Sequence, residues 1–115
     1  MSHDQHPFTP QLLALDRFHV EHFTRLAQRM DAIREPDGSS LLDNTLFTFG
    51  GGPGDGATHQ YSRLPIVVAG SGGGRHLHCP DGTPLANLWL TMARTLGVDI
   101  DHYADSTGVA KILIA

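Results

Sequence analysis

The sequence predicts an α/β fold, a small and mostly parallel sheet with flanking helices. Two observations carry this expectation. Asn44-Thr45-Leu46-Phe47-Thr48-Phe49 and Leu64-Pro65-Ile66-Val67-Val68-Ala69 are short runs rich in β-branched and aromatic residues, as strands buried on both faces are. On either side of them, apolar residues recur at spacings of three and four, the period of amphipathic helices. At 115 residues the chain has the length of one domain, and residues 1–115 are read as a single α/β domain.

Thr9-Pro10 opens the first helix, with threonine as N-cap and proline at the first helical position, where its missing N–H costs nothing. Leu12, Leu15, Phe18 or His19, His22 or Phe23, Leu26, Met30 and Ile33 form its apolar stripe, about six turns at 3.6 residues each. Asp16, Arg17, Glu21, Arg25 and Arg29 lie on the opposite face, and Glu35-Pro36-Asp37-Gly38-Ser39-Ser40 ends the helix with turn chemistry. Between the two strands runs a glycine-rich loop that carries Asp55 and His59. In open α/β sheets such loops at strand ends gather ligands, so this one is the first place to look for chemistry.

Gly70-Ser71-Gly72-Gly73-Gly74 reads as a flexible hinge, Arg75 to His78 as an extended piece, and Pro80-Asp81-Gly82 as a turn. Thr83-Pro84 repeats the cap-and-proline signature. Leu85, Leu88, Trp89, Met92, Ala93 and Leu96 then continue at helical spacing to Gly97, a natural C′ residue. The last apolar run, Val109 to Ala115, is a strand or an unsupported end.

Composition narrows the classes. The formal charge of −4 gives no basic footprint for nucleic acid, where a pI above about 9 is the usual mark. Eight histidines make the charge sensitive between about pH 5 and 8. One cysteine, Cys79, precludes an internal disulfide. No apolar run approaches the roughly 18 residues of a membrane span. Met1-Ser2-His3-Asp4-Gln5-His6 lacks the basic start and apolar core of a signal peptide. Two or three strands with two helices leave sheet edges open, which invites self-association.

Several ordered motifs resemble a known family. Asp16-Arg17-Phe18-His19-Val20-Glu21, Leu42-Asp43-Asn44-Thr45, Gly54-Asp55-Gly56, Leu64-Pro65, Gly73-Gly74-Arg75-His76-Leu77, Gly82-Thr83-Pro84 with Asn87-Leu88, and Asp105-Ser106-Thr107-Gly108 resemble the end of the bacterial domain of unknown function 1552. The resemblance extends to the C-terminal part of the alkaline-phosphatase-like superfamily of sulfatases and phosphatases. It implies a C-terminal segment of a protein several times longer and usually exported, with a scaffold of the alkaline-phosphatase-like kind. In an intact parent it implies a metal-dependent site for phosphate or sulfate ester hydrolysis, with this chain alone inactive; the alternative is a non-catalytic structural or binding protein on the same scaffold.

The candidate metal ligands come in three clusters: His3, Asp4 and His6; Asp55 and His59; and His76 with His78 beside it. Neutral imidazole and carboxylate together suit zinc or manganese. Active superfamily members place an Asp followed by His or Asn directly after the Asp-Asn-Thr strand. Here Gly50-Gly51-Gly52-Pro53 stands there, with Asp55 displaced along the loop. That replacement favours the non-catalytic reading, and the ordered clusters favour hydrolysis. His19 and His22, three apart on the first helix, read as packed or surface residues, Cys79 as a lone thiol, Arg75 as a loop arginine, and Trp89 and Met92 as helix packing.

Overall fold

The computed structural model describes residues 9–52, 60–71 and 76–110. Four elements appear in chain order: α1 (Thr9–Ala32), β1 (Leu46–Gly50), β2 (Ile66–Gly70) and α2 (Ala86–Thr95). They divide into two compact units, Met1–Gly70 and Ser71–Ala115.

In the first unit, α1 begins at the Thr9-Pro10 signature and runs 24 residues. Its exit is a tight reversal. Gly38 N–H donates to the Glu35 carbonyl at 2.9 Å, Glu35 N–H to the Ser39 carbonyl at 2.8 Å, and Arg34 pairs with Ser40 in an isolated antiparallel bridge. Gly38 sits at φ +88, a conformation glycine adopts without cost.

The two strands pair, but antiparallel, in the register Leu46↔Gly70, Phe47↔Ala69, Thr48↔Val68, Phe49↔Val67, Gly50↔Ile66. This corrects the mostly parallel sheet that the sequence suggested. A parallel pair needs a crossover, usually helical, whereas an antiparallel pair needs only a return loop. Among the described residues of the 51–65 connection there is no helix. Cross-strand partners share a face, so Phe47, Phe49, Val67 and Ala69 form one apolar face and Leu46, Ile66 and Val68 the other. Phe23 of α1 lies against the first, its ring 4.6 Å from that of Phe47 and 5.5 Å from that of Phe49, while Val67 of the same face is exposed.

In the second unit, α2 ends as the sequence predicts. Val98 N–H donates to the Ala93 carbonyl and Gly97 N–H to the Arg94 carbonyl, with Gly97 at φ +87. This is the Schellman closure, in which a left-handed C′ residue satisfies the last carbonyls. Its start differs from the sequence reading. The Thr83 hydroxyl donates to the Pro80 carbonyl, 2.7 Å away, and Leu85 occupies the cap position with no side-chain cap bond. The buried face differs too: it is Ala86, Asn87, Leu90 and Thr91, while Leu85, Trp89 and Leu96 of the predicted apolar stripe are exposed. Trp89 is therefore not an interior packing residue. No helix among the described residues is long and apolar enough to cross a membrane.

Candidate functional site

Two polar clusters organise the described residues, and each falls on a motif quoted above. The first is the joint between α1 and β1. Ser40, buried to 1% exposure, and Asp43 bond reciprocally: Ser40 N–H donates to Asp43 Oδ2 and Asp43 N–H donates to Ser40 Oγ, both at 3.0 Å. This is a capping box in a single turn, two orphan N–H groups satisfied by one pair of side chains. Asn44 Nδ2 donates to Ser39 Oγ at 2.7 Å, and the Thr45 hydroxyl to the Leu41 carbonyl at 2.7 Å. Leu42-Asp43-Asn44-Thr45 is thus a structural knot that aims the chain into β1.

Electrostatics follow the same bonds. The Ser40 N–H, then its hydroxyl, hold the Asp43 carboxyl below its ordinary value of 3.8, with Arg34 adding a smaller pull. Asp37 is lowered likewise, first by the Ser39 hydroxyl and then by the Ser39 N–H. Hydrogen bonds to a carboxylate favour its charged form. Both acids are committed to turns.

The second cluster clasps residues 106–110 to α2. Asn87 Oδ1 accepts the Thr107 N–H at 2.8 Å while its Nδ2 donates to Thr107 Oγ1 at 3.2 Å. One turn on, Thr91 Oγ1 accepts the Ala110 N–H at 2.6 Å and donates to the Asn87 carbonyl at 2.6 Å. Asn87 and Thr91 are buried, and buried polar groups persist where such partners satisfy them. No buried side-chain nitrogen or oxygen among the described residues is left without a partner.

The sequence-predicted metal ligands are not drawn together by anything described. His3, Asp4 and His6 lie outside the described residues, as do Asp55 and His59. His76 is described, exposed in the stretch 76–80 that has no regular structure, with His78 and Cys79 exposed beside it. Arg75 also lies outside the described residues. Among the described residues no three His, Cys, Asp or Glu side chains group as a metal site. On α1, His22 Nδ1 lies 3.0 Å from the Phe18 carbonyl, which places the proton on that nitrogen. The two rings sit 4.2 Å apart, an aromatic contact on the helix surface.

The Ser40-x-x-Asp43 spacing was available in the sequence as a capping signature. The roles of Asn87 and Thr91 were not, because their partners stand 20 and 19 residues away. The chain matches no protein family, no curated protein and no solved structure.

Proposed function

We propose that this chain is a non-catalytic structural and binding segment, covered by the remainder of a longer protein of the kind its motifs resemble, the domain of unknown function 1552. One observation carries the reading: both helices leave half or more of their apolar stripes exposed. Helix α1 has no buried residue over its whole length, and Leu15, Phe18, Leu26 and Ile33 are exposed. Leu85, Trp89 and Leu96 repeat this on α2. Apolar surface of that extent marks a contact surface. On the hairpin Val67 is exposed as well, while Leu46, Ile66 and Val68 are half-buried.

The test is hydrodynamic. The isolated chain is expected to bind an apolar dye and to unfold over a broad urea range as a monomer. A mass that rises with concentration would make a second copy the occupant instead. A compact monomer with a sharp transition and no dye binding would overturn the reading.

A second reading draws on the order of the histidine and aspartate clusters. In an intact parent, His3, Asp4, His6, Asp55, His59 and His76 would contribute to a zinc or manganese site for phosphate or sulfate ester hydrolysis. A bound ion supplies activated water and neutralises developing charge. Calorimetric titration of this chain with zinc and manganese, repeated on Asp55→Ala, His59→Ala and His76→Ala, separates the readings. Tight stoichiometric binding lost in the variants favours the metal site; no binding leaves the structural one.

A further inference from the structure

We infer that residues 106–110 form a detachable strap across α2, fastened by Asn87 and Thr91 and hinged at Ala104. The strap has no helix or strand geometry of its own. What holds its backbone is side chains: Thr107 N–H on Asn87 Oδ1 and Ala110 N–H on Thr91 Oγ1. The two anchors are themselves tied, since the Thr91 hydroxyl donates to the Asn87 carbonyl. A fastening of this kind closes tightly yet opens at modest cost, because water replaces each bond when the strap lifts. An apolar seal of the same length would have no such exchange partner.

The hinge is visible in the backbone. Tyr103 N–H donates to Ser106 Oγ and Ser106 N–H to the Tyr103 carbonyl, both at 2.9 Å, and this turn forces Ala104 to φ +48. Alanine is disfavoured there by its Cβ. Ala104 thus marks the base of the strap, and the bonds to Asn87 and Thr91 hold the residues beyond it. The inference concerns the second unit alone and stands whatever covers the helices.

Amide hydrogen exchange on the full chain by NMR tests it. Thr107 and Ala110 are expected to exchange at least about tenfold more slowly than free amides. In Asn87→Ala both are expected to lose that protection together while α2 stays helical by circular dichroism. Asn87→Asp retains an acceptor for the Thr107 N–H and for its hydroxyl, and is expected to restore protection. Should Asn87→Ala unfold α2, Thr91→Val decides: it removes the acceptor at Ala110 with little change of shape, and Thr107 is expected to open with it. Loss confined to the amide next to the substitution, or no protection in the unmodified chain, overturns the strap.

Discussion

Phe23 lies stacked on Phe47, ring centroids 4.6 Å apart and planes 19° from parallel. The contact joins the middle of α1 to the middle of β1, and Phe49, two residues on and so on the same face, flanks it at 5.5 Å. No residue of α1 is buried, and these rings tie the helix to the hairpin in the first unit.

Phe23→Ala is expected to destabilise the first unit by about 1.5–3 kcal/mol, below the full cost for a buried phenylalanine because the ring is half-buried. Phe23→Leu retains part of the area and should cost less. Urea unfolding followed by helix signal measures both, and an unchanged midpoint in Phe23→Ala would show that the stack does not hold α1.

Gly70 ends β2 at φ +112, and a Cβ there would meet the Thr45 carbonyl and stand 2.8 Å from the Leu42 oxygen. Both neighbours are backbone of the capped turn, which cannot move aside. Gly70→Ala therefore combines backbone strain with collision, and a loss of about 3 kcal/mol or more is expected. Gly38, at φ +88 with nothing within 4 Å, supplies the comparison: Gly38→Ala carries strain alone, about 1 kcal/mol. Equal losses at the two sites, by denaturant unfolding, would refute the collision.

Gly97 is the left-handed residue of the α2 closure and has open space around its missing side chain. Gly97→Ala is expected to cost about 1 kcal/mol, and Gly97→Asn less, since asparagine tolerates that conformation. The readout is the exchange rate of the Val98 amide, whose bond to the Ala93 carbonyl depends on the closure.

The acid limb of stability should report the capped turn. Asp37 and Asp43 are held below 3.8 in the folded chain, so the unfolded chain binds their protons first as pH falls. Their contribution is complete above the unfolded value and disappears as pH drops below 3.8 through the folded values. Asp43→Asn is expected to flatten that limb and to leave the slope near neutrality unchanged. Urea midpoints taken through the acid range measure it, and an acid limb of unaltered slope would rule the carboxylate out.

What was legible in the sequence is what local chemistry decides. Gly97 set the end of α2, because such a cap acts within one turn. The two strands were legible as segments but not in direction, since β-branched and aromatic content is the same for either pairing. Thr83-Pro84 misled because its hydroxyl bonds to the Pro80 carbonyl of the preceding turn, an alternative the spacing alone does not distinguish. The buried face of α2 was hidden for a different reason: the bonds that satisfy buried Asn87 and Thr91 come from Thr107 and Ala110, far along the chain. Of the three predicted metal clusters, that of His76 and His78 alone falls among the described residues, and histidine spacing along a chain carries no information about which loops converge.

The register itself has one more implication. Leu46 pairs with Gly70, so the chain enters and leaves the hairpin at neighbouring points, with the 51–65 connection at the far end. The capped turn that leads into β1 and the exit of β2 are thus neighbours: the Thr45 and Leu42 carbonyls crowd Gly70, so a change in that turn is felt at both ends of the pair.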